Sequence, residues 1–120
     1  AAAVMVSNQI VALADMGTAL LVKCGFSEAA AAEALSPLLL GNAQSVAEKG
    51  AVNALTGPIE RGDAQTVSKH LQEIRKFAAE STVGQDILTA YTALSKQLIR
   101  IAQQKHPHKD YKHLEKELEQ

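Results

Sequence analysis

The run LTGPIERGDA, residues 55–64, gathers a threonine, two glycines, a proline and an Arg/Asp pair within ten residues of an otherwise helix-rich chain. Gly57 and Gly62 bracket four residues, the spacing of a phosphate-binding P-loop. That loop continues with Lys and Ser/Thr, which hold phosphate and magnesium. Here Asp63 and Ala64 follow, and an acid at that position repels phosphate. What remains is a turn whose Thr56, Gly57 and Arg61 suit a binding edge, with Asp63 restarting the next helix as an N-cap. A local Arg61–Asp63 salt bridge plus that cap would account for the charged pair, but not for Thr56–Gly57–Pro58.

Ser7 and Asn8 form a second polar feature, placed inside the most apolar stretch of the chain. Asn is a poor helix former and costly to bury unsatisfied. These residues either bond a neighbouring backbone carbonyl or face a polar crevice. His106, His108 and His113, with Asp110, have the donor types of a metal site. Their irregular spacing around Pro107 and the many nearby lysines oppose a cation, so no metal is expected. His70 reads as a boundary residue of its helix. The single cysteine, Cys24, excludes an internal disulfide, suits a reducing cytoplasm, and reads as a packed, inert thiol. No G-x-G-x-x-G run occurs, and no Ser–His–Asp or Cys–His constellation can be argued from spacing.

The elements that must position these residues are helical throughout. A first helix is expected from the start to about Lys23, with Val4, Met5, Ile10, Val11, Leu13, Leu20 and Leu21 covering more than one stripe. Gly25 should end it in a left-handed cap, and Ser27 should cap a second helix with Glu28 in its first turn. Pro37 should kink that helix and Gly50 close it. A short helix near 51–55 precedes the 55–64 turn. Asp63 then caps a helix burying Val67, Leu71, Ile74 and Phe77/Ala78. Gly84 marks a connection to a helix with Ile87, Leu88, Tyr91, Leu94, Leu98 and Ile101 on one face. Pro107 breaks the chain before a polar helix that turns Tyr111, Leu114 and Leu118 inward. No stretch alternates with period two, and the expected fold class is an all-α bundle of about six helices in one domain spanning residues 1–120.

Composition agrees with that class. Hydrophobic residues make up 47 % and aromatics only 3 %, so small side chains dominate and helices can approach closely. The net charge of −1 gives no pull toward nucleic acid or an anionic membrane. Residues 1–60 hold two basic and five acidic groups, against ten and eight in residues 61–120, which suggests a buried first half and a solvated second. The start lacks the basic region of a signal peptide, and Asn8, Gln9 and Asp15 interrupt the opening apolar stretch enough to argue against a membrane span. The chain opens on Ala without a capping residue, as expected of a piece of something longer. The breadth of the first helix's apolar surface predicts a homodimer built mainly from the first 50 residues.

The runs SNQIVALADMGTALLVKCGFS and ALTGPIERGDAQTVSKHL resemble the C-terminal helical domain, of unassigned function, in a bacterial family that pairs it with a Rossmann-like NADP-binding domain. Such proteins are similar to ketopantoate reductase, pyrroline-carboxylate reductase and other phosphogluconate-dehydrogenase-like reductases. The resemblance reaches about Tyr111, and L-T-G-P-I-x-R-G-D is its specific part. In that family a His usually precedes the alanines of the first helix, and this position falls at or before Ala1; Ser7 and Asn8 match. The resemblance implies a substrate-side and dimerisation domain that closes over the nicotinamide held by its own Rossmann domain. It further implies Asn8 and Ser7 as catalytic groups and Thr56, Gly57, Arg61 and Asp63 as lining of the cleft, with Arg61 an anion contact for a small-molecule substrate. NADP would be bound mainly by the other domain, leaving the fragment itself inactive. A standalone helical interaction module is the competing expectation.

Overall fold

A computed structural model describes all residues 1–120, and the chain is helical with no strand. Five helices of two turns or more are joined by two single turns, in the order α1 (Ala2–Met5), α2 (Asn8–Lys23), α3 (Glu28–Ala54), α4 (Pro58–Arg61), α5 (Ala64–Glu80), α6 (Thr82–Lys105) and α7 (Lys112–Glu119). The all-α class expected from the sequence holds. The contacts divide the chain into two compact units, Ala1–Glu48 and Lys49–Gln120.

In the first unit, local rules set the helix ends. The chain leaves α2 through Gly25 at φ +100°, with Gly25 N–H donating to the Val22 carbonyl at 2.9 Å and Phe26 N–H to Leu21 at 3.1 Å. This pair of bonds is the Schellman closure, and only glycine enters that backbone region without strain. Ser27 then caps α3, its hydroxyl accepting from Ala30 N–H at 3.1 Å. The two helices come close where Gly17 faces Leu35; a Cβ at Gly17 would lie 3.2 Å from the Leu35 Cδ1.

Two expectations for this half fail. The first helix is not continuous, because Val6 and Ser7 separate α1 from α2. The break expected at Gly50 is present, at φ +79° within the span of α3, which also contains Pro37. The half expected to be buried is the exposed one. No residue of α2 is buried, Cys24 is exposed rather than packed, and Val6 and Leu40 are 72 % and 70 % exposed. A helical hairpin has no third layer, so its outer apolar stripes have nothing within the unit to cover them. Residues Ala2–Lys23 are also long and apolar enough to cross a membrane, with mean hydropathy 1.4, a test that a core helix or a signal sequence passes equally.

The second unit holds the core. Ile59, Val67, Leu71, Ile99, Ala102, Tyr111, Leu114 and Leu118 form one buried cluster drawn from α4, α5, α6, α7 and the residue before α7. The inward face of α5 is as expected, and so are Tyr111, Leu114 and Leu118. The stripe of α6 is rotated: Gly84, Ile87, Ser95, Ile99 and Ala102 are buried, while Leu94 is 42 % exposed. Small residues on that stripe let α5 and α6 approach, which a reading of large apolar residues alone misses. Gly84 likewise is no connection. It is the third residue of α6, and the link between α5 and α6 is Ser81 alone, which ends one helix and caps the next by accepting from Gly84 N–H at 3.0 Å.

Candidate functional site

The 55–64 turn is built on two glycines in the left-handed half of backbone space, Gly57 at φ +100° and Gly62 at φ +75°. Between them Pro58 opens the single turn α4, a position where its missing N–H costs nothing. Gly62 N–H donates to the Ile59 carbonyl at 3.0 Å and Asp63 N–H to Pro58 at 2.8 Å, closing the turn. Ile59 is buried and anchors it in the core. Thr56 and Arg61 are exposed.

Asp63 is the N-cap the sequence predicts. Its carboxylate accepts from Thr66 N–H at 3.0 Å and from the Thr66 hydroxyl at 2.6 Å. These two bonds, more than the nearby Arg61 charge, hold the Asp63 carboxyl below its usual range. The carboxylate caps α5, and Arg61 is exposed with no ion pair to Asp63. Asp63→Ala should lower Tm by a few degrees through loss of the cap, while Arg61→Ala should leave Tm nearly unchanged. A larger drop for Arg61→Ala in a thermal melt would reverse these assignments.

Beneath the turn lies a constellation that sequence reasoning missed. The His106 Nε2 is 2.7 Å from the Glu60 Oε1, and the Lys105 ammonium is 3.7 Å from the same oxygen. Lys105 also donates to the Leu55 carbonyl at 2.7 Å, and the Tyr111 hydroxyl donates to the Glu60 backbone carbonyl at 2.8 Å. The His106 hydrogen bond is the main cause of a lowered Glu60 pKa, with Lys105 and Lys109 charges adding to it. Burial, with the Glu60 charge, raises that of Tyr111. Lys109 lies 5.8 Å from the Tyr111 ring centroid and packs its stem against Gly62. These partners sit 46–51 residues apart in sequence, so no local periodicity links them. The nearest signal was Pro107, which ends α6 just where His106 is needed.

The remaining sequence candidates separate. Ser7 donates to the Ala3 carbonyl, the backbone option expected for it, and lies 3.4 Å from the Asn8 Oδ1. Asn8 opens α2 and is exposed. Both belong to the Ala1–Glu48 unit, whereas Thr56, Gly57, Arg61 and Asp63 belong to Lys49–Gln120. Of the three C-terminal histidines, His106 is spent on Glu60, and no group of three or more His, Cys, Asp or Glu side chains is placed to hold a metal. His70 is tied to Tyr91, with Nδ1 and the hydroxyl 3.0 Å apart and the rings edge-on.

The first unit carries an open groove of about 1020 Å³ along α2 and α3. Its walls include Ile10, Leu13, Leu35, Leu39 and Val46. Three of its polar side chains, Thr18, Ser36 and Asn42, bond carbonyls of their own helices at 2.8–2.9 Å. What faces outward is therefore chiefly apolar, with Asp15 the charged exception. Such a groove suits a packing surface better than a polar small molecule.

No curated protein and no solved structure matches the chain. A family pattern does, across residues 1–98, from α1 to the last third of α6. That span takes in the apolar groove, the Val6–Ser7 break and the 55–64 turn, and on it the chain belongs to the family described as Domain of unknown function (DUF2520).

Proposed function

We propose that this chain is the substrate-side and dimerisation domain of an NADP-dependent oxidoreductase of bacterial, cytoplasmic type. The observation that carries the reading is the uncovered apolar surface of the Ala1–Glu48 unit, in which α2 buries no residue. Contiguous apolar surface on this scale marks an interface. A second copy of the chain and a Rossmann-like domain in the longer protein are the layers that the sequence resemblance supplies for it. The nicotinamide side of the reading rests on that resemblance.

The 55–64 turn does not favour the phosphates of a dinucleotide. The glycines at 57 and 62 enclose one helical turn, and the next helix opens on the Asp63 carboxylate, which repels phosphate. The phosphates are accordingly assigned to the other domain, which supplies the redox chemistry once loaded. Here, Asn8 would orient a small carbonyl or imine substrate by hydrogen bonding, with Ser7 setting the break that exposes it. Arg61 would meet an anionic group at the edge made by Thr56 and Gly57. A standalone interaction module without chemistry is the second reading, favoured by the same apolar groove.

Fluorescence titration with NADPH separates the two. The full reading-frame product should bind at micromolar Kd, and residues 1–120 alone should not, while light scattering of the fragment gives a dimer mass. Absence of NADPH binding by the full product overturns the oxidoreductase reading and leaves the interaction module. Micromolar binding by the fragment alone overturns the assignment of the phosphates.

A further inference from the structure

We propose that residues 105–111 act as a strap that sets the conformation of the 55–63 turn, with His106 as a positioning residue for Arg61. The family pattern ends at residue 98, so the strap lies outside it, while the turn it holds lies inside. The turn closes on its own backbone bonds and is anchored by Ile59, but its entry at Leu55 and both polar groups of Glu60 are held from residues 105–111. Its two glycines are in left-handed backbone and α4 is one turn long, which cannot hold itself in isolation. The strap reaches it at three separate places. Lys105 fixes the entry through the Leu55 carbonyl, His106 holds the Glu60 side chain, and Tyr111 holds the Glu60 main chain. Lys109 closes against the exit at Gly62.

Glu60 and Arg61 are consecutive, so fixing the first at both side chain and carbonyl fixes where the second leaves the backbone. Each strap bond also has a charged or buried member: Lys105 and Glu60 are charged, and Tyr111 is 2 % exposed. Such bonds are stronger than exposed neutral ones. His106 donates from Nε2, since the carboxylate oxygen it faces can only accept. The turn is thereby held in one arrangement by a segment distant in sequence. That Arg61 contacts a ligand rests on the proposed function; the strap itself does not.

Amide hydrogen exchange of residues 1–120 tests it without any cofactor. In His106→Ala, the Arg61, Gly62 and Asp63 amides should exchange about tenfold faster or more. Protection in the middle of α5 and α6 should be unchanged. His106→Gln, which keeps a donor, should restore most of the protection, and Tyr111→Phe should reproduce the loss without emptying the core. Unchanged exchange at the turn in both His106→Ala and Tyr111→Phe overturns the proposal. So does faster exchange spread equally over α5 and α6, or a failure of His106→Gln to restore protection. NADPH titration of the full product judges the oxidoreductase reading separately, whichever way the exchange falls.

Discussion

Gly84→Ala is expected to destabilise the Lys49–Gln120 unit by about 3 kcal/mol or more, at the upper end of what one added methyl group does in a packed interior. A Cβ at Gly84 would lie 2.4 Å from both the carbonyl carbon and oxygen of Phe77, and 2.6 Å from the Ala78 nitrogen. All three are backbone atoms of α5, so no side chain can swing aside to make room. The hairpin is also short of slack, because Ser81 alone joins the two helices. Relief requires α5 and α6 to move apart along their shared face, which strips contacts from Ile74, Ala78 and Ile87. A glycine at a helical position with open space is the control: Gly41 has nothing within 4 Å of its would-be Cβ. Gly41→Ala should be neutral or stabilise by roughly 0.5–1 kcal/mol through helix propensity. Urea melts should place the Gly84→Ala midpoint below that of the parent and the Gly41→Ala midpoint at or above it. A Gly84→Ala midpoint equal to that of Gly41→Ala would show that the approach of the two helices is looser than these distances imply.

This contrast also marks the boundary of what the sequence discloses. Signals that act within a turn or two were legible: the caps at Ser27 and Asp63, the left-handed exit at Gly25, the break at Gly50, and the inward Tyr111, Leu114 and Leu118. Each depends on residues three to five positions apart. Gly84 was misread because its requirement comes from the Phe77 backbone of another helix, and glycine in sequence marks a tight approach no differently from a turn. The rotated stripe of α6 has the same origin, since Ser95 and Ala102 are buried for being small. The Glu60–His106 contact was invisible because chain reversal, not spacing, creates it. The failure in the first half is of a different kind. Amphipathic patterning says that a surface is apolar, and says nothing of what covers it. Residues 1–60 read as the buried half, whereas the Ala1–Glu48 unit within them leaves its apolar side chains exposed. For the candidate site, the turn and its cap could be read from LTGPIERGD, whereas the groups holding it in place could not.

Leu114→Ala should cost about 3 kcal/mol, within the roughly 2–5 kcal/mol range of buried leucine truncations. Leu114 is 1 % exposed and lies in α7, beyond the residues the family pattern covers. An appended polar helix would behave otherwise, since substitutions on a solvated surface stay within about 0.5 kcal/mol. The reason for the larger value is the shape of the core. Leu114 and Leu118 share one buried cluster with Ile59, Leu71 and Ile99, so α7 covers the end of the α5–α6 pair and the anchor of the 55–64 turn together. Removing the side chain opens a cavity that cannot collapse easily, because α7 is pinned at its start by Tyr111, whose hydroxyl is bound to the Glu60 carbonyl. Lys116→Ala, on the exposed face of the same helix, keeps α7 while leaving the core intact and serves as the comparison. Chemical denaturation should therefore show Leu114→Ala unfolding at clearly lower denaturant than Lys116→Ala, with the slope of the transition unchanged. Equal midpoints would mean that the core closes without α7. Burial at Leu114 instead couples the chain beyond residue 98 to the turn that carries Arg61 through apolar packing with Ile59, independently of the hydrogen bonds made by Lys105 and His106.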